Sequence, residues 1–295
     1  MMRVAYLGMA ILLMVLTTGC AGQGERSAPI SQTVSAAAPP ETETIKLVLM
    51  SGAFQSQLAA LLREELEEEG YALAAYFAED ILEPNKLVDE GKADANFFQH
   101  EAYFNQFVSD HNLKQLVRGF YVVSLPGGLY SRAYPSLAQL PDGATVSIPV
   151  DATNNGRALL LLQKAGLLQL KPGVEVSQLG LKDIVSNPRG FKFKEVTQPS
   201  LPQTLEQSDA GFLFAGSAVQ LGYELQRDAL ALEADAELPY KSIVAVRRDL
   251  AGSPKIRALQ RAFASEAVKA LYKLHYDDAV QFLDERGGVD KRKNP

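Results

Sequence analysis

The chain has 295 residues, 47% hydrophobic and 22% charged, the balance of a folded globular protein and not of a disordered one. Lys and Arg number 29 against 35 Asp and Glu, a net charge of −6. With no basic excess to neutralise phosphates, nucleic acid is not expected as a partner. A single Cys excludes an internal disulfide, a zinc ribbon and a dithiol redox pair.

Residues 1–19 read as a signal peptide. Arg3 supplies a positive start, and Val4 to Leu16 is an apolar run too short for the about 20 residues that span a bilayer. Leu16-Thr17-Thr18-Gly19-Cys20 follows, a small residue directly before a Cys, which resembles a bacterial lipobox with its Leu one place early. Cys20 is then the expected lipidation site, and residues 20–44, rich in Gly, Ser, Ala, Pro and Thr, form a flexible tether. The expected location is a membrane surface, lipid-anchored, facing the periplasm or the cell exterior.

From Ile45 the pattern changes. Ile45 to Met50 reads as a strand, and Gln55 to Glu69 as a helix with Leu58, Leu61, Leu62 and Leu66 on one face. The glutamates between Glu64 and Glu69 are expected to be a solvated helix face rather than a metal or acid–base site. Tyr71 to Phe77 completes a β-α-β unit that calls for a parallel sheet. Further strands are expected at Phe120 to Leu125, Ala144 to Pro149, Phe191 to Val196, Gly211 to Phe214 and Lys241 to Arg247. Helices are expected from Arg157 to Gly166 and, at the C-terminus, from Lys255 to Arg286. The class is α/β with two lobes, and a ligand is expected at the carboxyl ends of the strands.

Motifs for nucleophilic, phosphate-binding, dinucleotide or zinc chemistry are absent, and His100, His111 and His275 are too scattered to suggest a ligand set by spacing. No enzyme activity, cofactor or metal is expected. Two segments carry recognition chemistry instead. Asp94 to Phe104 crowds aromatics, amides and an imidazole, a composition able to sandwich an apolar or sulfur-containing side chain, although it also reads as the start of a core helix. Asp151-Ala152-Thr153-Asn154-Asn155-Gly156-Arg157 lies between a strand and a helix, where backbone N–H groups and a guanidinium can meet a carboxylate. It reads equally as a helix cap with a surface Arg.

Together these segments resemble the NlpA lipoprotein family, the methionine-binding receptors of ABC importers. The resemblance rests on Pro84-Asn85, Asp94-Ala95-Asn96-Phe97-Phe98-Gln99-His100 with Tyr103, Pro126-Gly127-Gly128-Leu129-Tyr130-Ser131, and Asp142 to Pro149. Thr153 to Gln163, Asp183-Ile184-Val185 and Pro239-Tyr240 extend it. It implies a two-lobed periplasmic-binding-protein fold, type II-like, with residues 45–123 plus 237–295 as one lobe and 124–236 as the other. The ligand, a methionine-like amino acid, would sit in the cleft and pass to a permease driven by a separate ATPase. By position, Phe98, His100 and Tyr103 would line the side-chain pocket, while Asn154 and Arg157 would hold the carboxylate, Arg157 as a bidentate pair. Four departures stand out: Ile81 replaces a Tyr, Phe214 and Ser242 replace Asn, and Val150 replaces an Asn before Asp151. Ile81, Phe214 and Ser242 thus join the candidate site, and a less polar carboxylate or small peptide becomes the alternative ligand. An anchored protein of adhesive or structural role, and a hydrolase with an unrecognised triad, are further alternatives.

Overall fold

A computed structural model describes residues 42–233 and 240–290. The signal segment, Cys20 and the tether up to residue 41 lie outside the described residues. The tether ends earlier than expected, because Glu43 and Thr44 already pair with Tyr71 and Ala72 in the first parallel ladder.

In chain order the elements are β1 (Glu43–Met50), α1 (Ala53–Glu68), β2 (Tyr71–Ala78), α2 (Glu83–Asp89), β3 (Ala95–His100), α3 (Glu101–Asp110), β4 (Leu116–Ser124) and β5 (Gly127–Tyr130). They continue with β6 (Thr145–Pro149), α4 (Ala152–Lys164), β7 (Gln169–Leu170), β8 (Ile184–Ser186), β9 (Lys192–Val196), α5 (Leu201–Leu205) and β10 (Ala210–Phe214). The last are α6 (Ala215–Gln220), α7 (Leu225–Asp228), β11 (Ala231–Leu232), β12 (Lys241–Arg247), α8 (Pro254–Phe263), α9 (Glu266–Tyr276) and β13 (Gln281–Phe282).

These build two main sheets. The first has the order β13-β4-β12-β3-β1-β2 and the second β11-β5-β10-β6-β9, so the chain passes between them once after Ser124 and again between Leu232 and Lys241. From Ile45 onward β1 is apolar apart from Lys46 because both of its faces are covered there: Ile45, Leu47 and Leu49 face α1 and α8, and Val48 faces the side of Val88 and Phe104. The second sheet packs Val146, Ile148 and Phe212 against Leu159 and Leu162 of α4. On α1, Leu58, Leu62 and Leu66 are buried while Glu64, Glu67, Glu68 and Glu69 are exposed, the solvated face expected from their spacing.

Two expected helices have other limits. α4 begins at Ala152, five residues before Arg157, because Asp151 caps it by accepting the Asn154 N–H; the polar run is the first helical turn and not a loop. The C-terminal helix is broken. Ser265 caps a second helix by accepting the Val268 N–H, Asp277 turns out of it at φ 47°, and Gln281–Phe282 adds a strand beside β4. No helix among the described residues is long and apolar enough to cross a membrane.

Candidate functional site

The carboxyl ends of β3 and β10, the start of β12 and the first turns of α4 and α6 enclose a cavity of about 150 Å³. That is below the roughly 300–1,000 Å³ of drug-sized sites and suits one small molecule. Phe98, His100, Tyr103, Asn154, Arg157, Phe214 and Ser242 all line it. Ile81 does not; it is half-buried in the turn between β2 and α2. Gln198 and Tyr240 line the cavity as well, and neither was singled out as a site residue in the sequence.

The Asp94–His100 motif divides its labour. Asn85, Asn96 and Gln99 satisfy one another through side-chain amide hydrogen bonds of 2.6–2.9 Å beneath the cavity, all three fully or nearly fully buried. Asp94 accepts from the Lys46 N–H and from Lys255 Nζ, tying β1 and α8 to the start of β3. Because successive strand residues point to opposite faces, Phe97 enters the core cluster under α8 while Phe98 faces the cavity. The segment is therefore a strand running into a helix, and its expected reading as a core helix start holds only from Glu101 onward.

His100 ends β3 and caps α3. Its Nδ1 accepts the Tyr103 N–H at 3.1 Å, which places the ring proton on Nε2, and Nε2 donates to Asn154 Oδ1 at 2.8 Å. Burial, with the Arg157 charge adding to it, lowers the His100 pKa to about 3, so the ring is neutral. The Asn154 amide is thereby shared, since its Nδ2 donates to Asp151 Oδ1 at 2.9 Å. As His100 belongs to the first sheet and Asn154 to the helix behind the second, this bond bridges the cleft.

Arg157 is buried, not on the surface. Nε donates to Glu233 Oε1 at 2.8 Å, and Nη2 donates to Glu233 Oε2 at 2.6 Å and to the Leu125 carbonyl at 3.1 Å. The two side chains are 4% and 7% exposed. Glu233 Oε2 also accepts the Gly127 N–H at 2.6 Å, so the pair joins both crossing segments. The Arg157 guanidinium lies 4.3 Å from the Tyr240 ring centroid, a cation–π contact that fixes its plane. The bidentate edge expected to take a ligand carboxylate is thus occupied by Glu233, and Nη1 takes part in none of these bonds.

Aromatic faces complete the walls. Phe98 meets Tyr103 edge-on at 6.0 Å, and His100 meets Tyr240 edge-on at 5.2 Å. Burial raises the pKa of both phenols, so each remains a neutral hydroxyl. The Tyr240 hydroxyl is buried without a hydrogen-bond partner. Among the described residues, no group of three His, Cys, Asp or Glu side chains could hold a metal.

Residues 45–282 match the family described as NlpA lipoprotein. The chain is 34% identical over 248 residues to the methionine-binding lipoprotein MetQ of Bacillus subtilis (strain 168), a match covering 82% of this chain and 90% of that protein. It is 33% identical over 227 residues to the D-methionine-binding lipoprotein MetQ of Escherichia coli (strain K12), covering 76% and 82%. Among solved structures, a nutrient binding protein from Burkholderia cenocepacia bound to methionine superposes with a TM-score of 0.76 at 31% identity, over 81% of this chain and 99% of that one. Two sheets joined by two crossings, a small cavity at their strand ends and a family match over most of the body agree: this chain is a member of the NlpA lipoprotein family, with its two-lobed substrate-binding fold.

Proposed function

We propose that this protein is the solute receptor of an ABC importer and holds methionine, or a closely related amino acid, in the cavity between its lobes. The observation that carries the reading is the convergence of Phe98, Tyr103, Phe214 and Tyr240 with one guanidinium, Arg157, on a space for a single small molecule. Polarizable aromatic walls favour a thioether by roughly 0.3–1.5 kcal/mol per contact. Arg157 attracts the carboxylate through Nη1, and Ser242, Gln198 and the unpartnered Tyr240 hydroxyl line the cavity as polar groups open to the amino group. Binding, not catalysis, is the role this arrangement serves. The ligand gains by touching both lobes at once, so it shifts the population toward the closed form.

The lobe limits, residues 45–123 plus 237–295 against 124–236, belong to the same reading; the second of them, at 236/237, lies outside the described residues. So do the anchor at Cys20, a position at the membrane facing the periplasm or cell exterior, and a permease–ATPase complex as partner. The test is the native mass of the receptor purified gently without added ligand, followed by melting curves with L- and D-methionine. Copurified methionine, or a rise in melting temperature that saturates with methionine, is expected. A protein that neither carries methionine nor is stabilised by it would overturn the proposal.

A further inference from the structure

Glu233 lies 76 residues from Arg157 in sequence, at the point where the chain leaves the second sheet, and it does not line the ligand cavity. It acts there only through Arg157. Its carboxylate takes the Nε–Nη2 edge and accepts the Gly127 N–H, and the pair is almost wholly out of water. Charges at such a site are weakly screened, so the balance of formal charge around the cavity governs what can enter it.

That balance can be read from the residues present. Arg157 contributes one positive charge and Glu233 cancels it. Asn154, Phe214, Ser242, Tyr103 and Tyr240 carry none, and neither does the imidazole of His100 between its two hydrogen bonds. Asp151 stands behind Asn154, outside the lining, and accepts three hydrogen bonds from residues 153 and 154. Counting the lining side chains and Glu233, with Asp151 and Asp80 standing beyond Tyr103 and Asn154 outside the lining, a zwitterion entering this cavity leaves the formal charge at zero. A simple carboxylate leaves one uncompensated negative charge beside Glu233, which a desolvated site penalises.

We propose that Glu233 is a specificity-determining residue: by neutralising Arg157 and holding its bidentate edge, it makes the receptor select zwitterionic amino acids over anions of the same shape. The inference rests on the methionine reading above, and it adds a rule for rejecting ligands. The carboxylate of the bound amino acid meets the guanidinium end-on, and the ligand's own ammonium is required for charge balance as much as for hydrogen bonding.

The experiment compares methionine with 4-(methylthio)butanoate, which lacks only the amino group, by calorimetric titration of the full receptor at pH 7. Wild type is expected to prefer methionine. Glu233→Gln keeps the shape and the acceptor for Gly127 but leaves Arg157 unbalanced, so the preference should fall at least tenfold, mostly through tighter binding of the butanoate. Glu233→Asp, which restores the charge, should hold the wild-type ratio to within about threefold. A second readout needs no variant. 4-(Methylthio)butanamide, which also lacks the amino group but carries no charge, should bind wild type at least as tightly as the butanoate does.

An unchanged ratio in a folded Glu233→Gln, or equal weakening of both ligands, would reduce Glu233 to a structural brace and overturn the assignment. An amide that binds wild type more weakly than the butanoate would do the same even where that variant fails to fold. Wild type binding methionine with an unshifted ratio removes this inference alone. Wild type binding neither ligand removes the methionine reading and this inference together.

Discussion

His100 shows how one residue can join two elements and line the cavity at once. Both ring nitrogens are committed, one to the Tyr103 N–H and one to Asn154, and burial keeps the ring neutral with a pKa lowered to about 3. An unfolded His titrates near 6.5, so between those values the unfolded chain binds the extra proton and stability falls as pH falls. The slope approaches about 1.4 kcal/mol per pH unit between pH 6 and 4. His100→Gln should flatten denaturant-derived stability over that window, and an identical pH profile in the variant would refute the assignment.

Arg157 behaves differently from a surface clamp. Removing it strands the Glu233 carboxylate in a dry site, at a cost of about 3–5 kcal/mol as well as lost ligand binding. Chemical denaturation of Arg157→Ala measures this, and adding Glu233→Ala should recover part of the loss; a single variant as stable as wild type would exclude a buried pair. Motif spacing singled out Asn154 and Arg157, and both line the cavity. It could not place Glu233, one of three alternating acidic residues with Asp235 and Glu237, because nothing local distinguishes it from a solvated one.

Among the elements, α4 depends on one glycine. A Cβ at Gly156 would come within 1.9 Å of the Val176 carbonyl, since the turn over residues 176–178 crosses the helix at backbone contact. Gly156→Ala must push that turn away, and overpacking of this kind costs about 1–3 kcal/mol. Thermal melts read it directly, and a neutral variant would mean that the turn is free to move. The strand β3 depends on amides: Asn85→Ala leaves Asn96 and Gln99 with unmet donors and acceptors, worth about 1–3 kcal/mol. If urea denaturation shows no loss, the network is not a structural support. Strand positions were readable from apolar runs, but helix limits were not. Asp151 starts α4 early and Ser265 starts a new helix, and a cap is a hydrogen bond between particular atoms rather than a period.

For the whole molecule, the two sheets meet through few polar links, chiefly His100 with Asn154 across the cleft and Arg157 with Leu125 and Glu233 at the crossings. The cleft bond links the two lobes as the proposed ligand would, and it favours the closed form. Asn154→Ala should therefore expand the unliganded receptor and weaken methionine binding. Solution scattering gives the radius of gyration, and an unchanged radius together with unchanged affinity would show that closure does not use this bond. Saturating ligand should restore compactness and add about 2.7 kcal/mol of stability at a hundredfold excess over Kd.

Local order along the chain settled the α/β class, the apolar strands and the acidic solvated face of α1, and it singled out the two motifs whose residues line the cavity. These follow from periodicity and from short-range backbone chemistry, which neighbouring residues fully express. Tertiary structure alone decided that Ile81 stays away from the cavity, that Tyr240 forms its wall, that His100 and Asn154 share one bond, and that Glu233 claims Arg157. The reason is physical. Pairings across 54 or 76 residues are selected by which groups are buried together with their charge or hydrogen bond unmet, and burial exists only once the sheets have packed.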